Sequence, residues 1–196
     1  MKIFRRIWMR LNLRNMREGK HLPLKRLYLL RDPWQMESDR EQYRFQAINE
    51  IIVSQFGKVG TLLEIGCGEG HQTSHLQQVS DRIYGVDISG LAVARARERV
   101  PQAILSVHDL LTCPETLNGG APFDLVVASE VLYYLQDAEM PAAVAKLKRL
   151  GKRCLVSYYD REIDRLDGHF AAIPGCQCKD LEFSGTKWRV RWWTTP

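Results

Sequence analysis

Residues Leu62–Gly70 read LLEIGCGEG, a largely apolar strand that runs straight into a glycine-rich turn and then into the helix-compatible stretch from His71 to Val79. Glycines at 66, 68 and 70 remove side chains where backbone must approach a ligand and where the turn requires positive φ. A dinucleotide fingerprint would place its third glycine at position 71, which is His71 here. The spacing is instead Gly-x-Gly-x-Gly, with Glu64 two residues before the first glycine. A turn of this kind at the end of a strand predicts a nucleotide-type pocket.

Working outward, strands and helices alternate. Helix Asp39–Gln55 turns Phe45, Ile48, Ile51 and Ile52 inward. It is followed by strand Thr61–Ile65, helix His71–Val79, strand Arg82–Val86, helix Leu91–Arg99, strand Ala103–Val107, strand Phe123–Ser129, helix Ala138–Leu150 and strand Arg153–Tyr158. Alternation of this kind predicts a parallel sheet covered by helices. The tail breaks the rhythm, because Gln177–Phe183 and Trp188–Trp193 flank Ser184-Gly185-Thr186 and predict an antiparallel hairpin at the sheet edge. The stretches around Pro23 and from Asp160 to Pro174 read as loops. Asp87 ends the second strand, 21 residues after Gly66, where a carboxylate can accept hydrogen bonds from both hydroxyls of a ribose. Asp109 ends the third strand, where an adenine amino group would lie. Open α/β sheets bind ligands in the crevice beyond the carboxyl ends of their strands, so these acids and the glycine turn share one predicted crevice.

Composition sets the class. The 196 residues suit one domain, 45% of them are hydrophobic, and no apolar run reaches the eighteen or so residues of a membrane span. Five scattered cysteines argue against a disulfide framework and for a reducing, cytoplasmic setting. Charge is unevenly spread. Residues 1–31 hold ten Lys/Arg against Glu18 alone, so that segment is +9 and the rest of the chain −4. A nucleic-acid binder would carry positive charge across its folded face, and this domain is mildly acidic, which argues against nucleic acid as partner. Within the arm, Phe4, Ile7, Trp8 and Leu11 fall at helical spacing among Lys2, Arg5, Arg6 and Arg10. Residues 1–17 therefore read as a basic amphipathic helix, suited to an anionic membrane surface or to docking on a protein. The chain divides into a basic arm or lid over 1–38 and a catalytic domain over 39–196.

In combination, these motifs resemble the class I S-adenosylmethionine-dependent methyltransferase superfamily. Glu64-Ile-Gly-Cys-Gly-Glu-Gly70 is similar to its first motif, Asp87 to its ribose acid, His108-Asp109-Leu110 to its adenine segment, and Phe123–Leu132 to its fourth-strand motif. The resemblance implies a Rossmann-like α/β fold with a seven-stranded sheet of order 3-2-1-4-5-7-6, strand 7 antiparallel. It also implies S-adenosyl-L-methionine as cofactor, held by Glu64, Gly66, Cys67, Gly68, Gly70, Asp87, Ile88, Asp109, Leu110 and Ser129. Asp32-Pro33-Trp34 and Ser129-Glu-Val-Leu-Tyr-Tyr-Leu135 are most similar to the nodulation protein S group of N-methyltransferases. That likeness implies a small or carbohydrate-derived acceptor, an amine before a hydroxyl.

Glu130 is the acid placed to orient an acceptor or take its proton. The competing role is a helix-terminal acid favoured by the dipole. Tyr133 and Tyr134 line the acceptor pocket or contact the sulfonium, with one of them in the core, and Trp34 folds over the cofactor or staples the arm. His71 and His75 share a helix face, as two metal ligands would, but no Glu-x-x-His carboxylate stands between them and no metal is expected. Two other functions stay open. One is methylation of an anionic macromolecule, nucleic acid or lipid-linked glycan, docked through the basic arm. RNA base methyltransferases carry an Asn/Asp-Pro-Pro-aromatic motif where this chain has Ala128-Ser129-Glu130-Val131, which weighs against the nucleic-acid form. The other is a binding module without catalysis.

Overall fold

A computed structural model describes residues 21–195 of the chain, with side chains from Leu24. Seven strands form one sheet: β1 Val59–Ile65, β2 Ser80–Asp87, β3 Ile104–Val107, β4 Leu125–Ser129, β5 Arg153–Tyr159, β6 Gln177–Phe183 and β7 Thr186–Thr194. Their order is β3-β2-β1-β4-β5-β7-β6. The first five run parallel, while β7 pairs antiparallel with both β5 and β6. This is the expected Rossmann-like sheet. The hairpin closes through Ser184-Gly185, with Ser184 at φ 48, so Phe183 pairs directly with Thr186.

Strand β4, LVVAS, is buried along its whole length because helices cover both faces of the sheet. Val126 and Ala128 pack with Met140, Leu147 and Phe170 on one side. Leu125 and Val127 pack with Ile48, Ile51 and Ile52 on the other. The covering helices are α1 His21–Leu27, α2 Asp39–Phe56, α3 His71–Leu76, α4 Gly90–Arg99, α5 Met140–Leu150 and α6 Ile163–Ala171.

Two stretches expected as loops are helical. Residues His21–Leu27 form α1 despite Pro23, because proline is tolerated in a first helical turn, where its missing N–H has no partner to lose. Asp160–Glu162 is a 3-10 turn leading into α6, which buries Leu166 and Phe170. Their four-residue spacing is helical, but the short span and Gly168 mask it in the sequence. Helix α3 ends at Leu76 rather than Val79, since β2 begins at Ser80. Residues 1–17, with their amphipathic pattern, lie outside the described residues. Among the described residues no helix is long and apolar enough to cross a membrane.

Candidate active site

The strand order reverses between β1 and β4, with β2 and β3 running outward on one side and β5 on the other. A crevice opens there at the carboxyl ends of the strands. It is a cavity of about 1010 Å³, lined from β1, β2, β3 and β4 by the turns that follow each.

The turn after β1 is built as expected, but the space opened by its glycines goes to the chain itself. A Cβ on Gly68 would stand 3.0 Å from the Tyr28 hydroxyl, and one on Gly70 would stand 3.1 Å from the Ala96 backbone on α4. Gly70, at φ 81, is the left-handed N-cap of α3. Its missing side chain lets two helices approach, and the residue lies outside those that border the cavity, which include Gly66 and Gly68. Cys67 borders the cavity, yet its thiol packs with Val93, Ala96 and Leu105, where burial drives its pKa well up and keeps it a thiol.

Asp87 faces this turn. Its Oδ2 accepts from Gly68 N at 3.0 Å and its Oδ1 from Ser89 N at 2.8 Å. Ser89, whose hydroxyl accepts from Ala92 N, caps α4, so the capping role that competes for Asp87 is already filled. Burial raises the Asp87 pKa to about 6 against the two backbone N–H bonds that oppose the rise. Glu64 is buried behind the turn and accepts from Thr73 Oγ1 at 2.5 Å; burial pushes its pKa to about 8. Ile88, Asp109 and Leu110 border the same cavity, and Asp109 Oδ1 accepts from Leu111 N.

Opposite them, β4 ends in Ser129 and then Glu130, a non-glycine residue at φ 57. A carboxylate residue held in the left-handed region is costly and is tolerated where surrounding contacts over-determine it. Ser157 Oγ donates to Glu130 Oε1 at 2.9 Å, while the buried Oε2 has no hydrogen-bond partner among the described residues. Burial raises the pKa of Glu130 to about 7, opposed by Arg44 and the Ser157 bond. Tyr133 and Tyr134 lie edge to face at 4.6 Å between ring centres, with Trp34 6.0 Å beyond Tyr134 and Tyr159 6.4 Å from Tyr133. All four rings border the cavity. Neither tyrosine of the pair is given over to the core; the core residue of that turn is Leu132.

Residues 24–38 cross over the cavity. Leu24 and Leu27 of α1 pack with Trp34, Ile88 and Tyr134. The segment is tied down where Asp32 N donates to Glu69 Oε2 at 2.8 Å and Arg95 Nη1 donates to Leu30 O at 3.0 Å and also pairs with Glu69. Asp32, Glu69 and His71 bring three potential ligand atoms within 4.8 Å of one another. Two cations already serve the cluster, Arg95 on Glu69 and Arg99 at 3.2 Å from His71 Nε2, which disfavours a metal there. His75 turns away to Gln42 and the Phe45 ring, so the two histidines do not act together.

The sequence reading missed a buried polar group contributed by α2. Glu41 and Arg44 are 0% and 1% exposed and pair at 2.8 Å. Arg44 also bonds Ser129 Oγ and Gln72 Oε1, and Tyr159 donates to Glu41 at 3.2 Å. Burial disfavours the guanidinium charge, but Glu130 and Glu41 outweigh it and raise the Arg44 pKa. The sequence holds one sign of it: Glu41 stands in an apolar stripe with Phe45, Ile48 and Ile52 at i, i+4, i+7 and i+11, with Arg44 beside it at i+3.

The family described as Nodulation protein S (NodS) matches residues 16–171. Nodulation protein S of Azorhizobium caulinodans is 37% identical over 111 residues, 56% of this chain and 52% of that protein. The homologue of Bradyrhizobium diazoefficiens is 32% identical over 133 residues, 66% of this chain and 62% of that protein. The chain thus spans between about half and three fifths of the length of these relatives. Among solved structures, N-methyltransferase NodS from Bradyrhizobium japonicum WM9 in complex with S-adenosyl-L-homocysteine aligns with a TM-score of 0.74 at 21% identity, over 93% of this chain and 99% of that one. CalS10, an amino pentose methyltransferase from Micromonospora echinaspora with bound S-adenosylmethionine, aligns with a TM-score of 0.61 at 18% identity, over 79% and 91%. At these identities the two likenesses are likenesses of fold.

Proposed function

Because the chain belongs to the nodulation protein S family, we propose that it is an S-adenosylmethionine-dependent N-methyltransferase whose acceptor is an amine on a small or carbohydrate-derived molecule. The single observation that carries the amine is Glu130 Oε2, buried, without a partner among the described residues, on a residue that borders the cavity beside Tyr133 and Tyr134. A carboxylate oxygen so placed is costly until a hydrogen-bond donor or cation reaches it, and an acceptor ammonium is both. With a pKa near 7, Glu130 holds or releases a proton close to neutral pH, as a group taking the acceptor's proton must. The aromatic rings give a sugar or alkyl carrier an apolar surface and exclude water from the reacting nitrogen.

The residues present fit the cofactor. When bound, it supplies a methyl group on a positively charged sulfur. Each Asp87 oxygen accepts one backbone N–H, which leaves each with a second lone pair for a ribose hydroxyl. The backbone of Gly66–Gly68 would hold the methionine portion, and Ile88, Asp109 and Leu110 the adenine. Residues 1–38 act as arm and lid, a role supported by the packing of Leu24, Leu27 and Trp34 across the cavity.

Titrating S-adenosylhomocysteine into the full chain tests the cofactor, since a ligand that binds only the native state must raise its Tm. We expect a rise of several degrees that Asp87→Ala abolishes; no rise at saturation overturns the assignment. A panel of aminosugars, polyamines and phenols, read by formation of the homocysteine product, tests the acceptor. Turnover of phenols but no amine would overturn the amine reading.

A further inference from the structure

Arg44 stands at the head of a hydrogen-bond chain that ends on Glu130. Its Nη1 donates to Ser129 Oγ; Ser129 Oγ and Ser157 Oγ are 2.8 Å apart; Ser157 Oγ donates to Glu130 Oε1 at 2.9 Å. A guanidinium donates only, and a serine hydroxyl has one proton. Ser129 therefore accepts from Arg44 and passes its own proton toward Ser157, and Ser157 passes its own toward Glu130. The chain runs one way. A proton placed on Glu130 Oε1 would reverse both serine hydroxyls, leaving Ser129 Oγ facing two donors with its own proton unplaced in a dry interior. Oε1 is thus kept as an acceptor, and the free valence of Glu130 is Oε2.

We propose that Arg44 is a positioning residue that confines proton exchange at Glu130 to Oε2, the oxygen left for the acceptor, and favours its ionised form. The inference rests on the reading of Glu130 as the group that meets the acceptor. Arg44 does not touch the acceptor; it acts through Ser129 and Ser157. The other charged and titratable groups around Glu130 come from α2 itself and from two further directions. Glu41 shares α2 with Arg44, Tyr133 and Tyr134 lie on the turn after β4, and Tyr159 and Arg161 lie at the end of β5. Glu41 works against ionisation of Glu130, Arg161 works for it, and the tyrosines remain neutral because burial raises their pKa values. Arg44 is first among the groups favouring the carboxylate, and it alone fixes the direction of the chain.

The test is the carbon-13 signal of the Glu130 side-chain carboxyl in the full chain with labelled glutamate, identified by its loss in Glu130→Gln and followed from pH 5 to 9. We expect a midpoint near 7 in the unsubstituted protein. In Arg44→Met it should move upward by about one pH unit or more, and Arg44→Lys, which restores a cationic donor, should recover part of that. Ser157→Ala, which cuts the chain with a small cavity, should also move it upward. It carries the test alone if Arg44→Met fails to fold, judged by circular dichroism. A midpoint unmoved in folded Arg44→Met, or in Ser157→Ala if that is the variant available, overturns the proposal. Failure of the parent reading looks different: Glu130→Gln would methylate amines at the unsubstituted rate while the Glu130 midpoint still follows Arg44.

Discussion

At Gly70 one hydrogen atom decides how two helices meet. The residue combines φ 81 with an Ala96 backbone contact that a Cβ would press at 3.1 Å, and the atom in the way belongs to main chain, which cannot swing aside. Gly70→Ala pays twice, for a left-handed alanine and for overpacking. We expect a loss of roughly 2–4 kcal/mol in unfolding free energy, read from urea midpoints at constant slope. A loss under about 0.5 kcal/mol would mean that α3 and α4 separate freely, contrary to the packing seen. Gly68, by contrast, faces the Tyr28 hydroxyl, so its missing side chain serves the segment that covers the cavity. The glycine motif was legible in the sequence because alternate glycines after a strand have few other uses. Which atoms fill the vacated space depends on α1 and α4, and no local pattern carries that.

At the level of elements, α1 and the loop to α2 form a cover whose attachment is separable from the core. Leu27 is fully buried but packs chiefly with Leu24, Trp34, Ile88 and Tyr134, away from the two large clusters on the sheet. Leu27→Ala should therefore loosen the cover rather than unfold the sheet. Its Tm without ligand should fall by no more than a few degrees, while S-adenosylhomocysteine should dissociate at least about tenfold faster, measured by stopped-flow displacement. Equal dissociation rates would show that the cover does not gate the site. The same separability explains why α1 escaped the sequence reading. A seven-residue helix with proline in it offers too few turns for periodicity to register, and part of its burial comes from Ile88 and Tyr134, which are distant in sequence. Helix α6 was hidden for a related reason, with only Leu166 and Phe170 marking its inner face.

For the molecule as a whole, the site burdens stability as pH rises. Glu64, Asp87 and Glu130 have pKa values of about 8, 6 and 7 in the fold against ordinary values of 4.5, 3.8 and 4.5. Through these three carboxyls the folded state binds more protons than the unfolded one between about pH 4 and pH 8, and their contribution to unfolding free energy falls as pH climbs through that window, offset in part below about pH 6.5 by His71 and His75, whose pKa values burial lowers. Asp167 runs the other way: the Arg191 pair depresses it to about 2, so its contribution is complete above about pH 4 and is lost only in stronger acid. In moderate salt, which screens net charge, Tm without ligand should be highest near pH 5 and lower at pH 8. Scanning calorimetry checks this, and a Tm higher at pH 8 than at pH 5 would contradict the burial of these carboxyls.

The sequence alone determined the sheet and the wall of the cofactor side, because both rest on local physics. Strand and helix periods alternate along the chain, glycines fall at one turn, and acids end successive strands, so a parallel sheet brings Gly66, Asp87 and Asp109 to one edge whatever the details. Only the tertiary structure decided the opposite wall of the cavity, around Glu130. Arg44 and Ser129 lie 85 positions apart, and the apolar stripe that takes in Glu41 does not say what the pair would meet. Their burial follows from how α2 lies across β4 and β5, and with it the direction of the hydrogen bonds that leave one oxygen of Glu130 open.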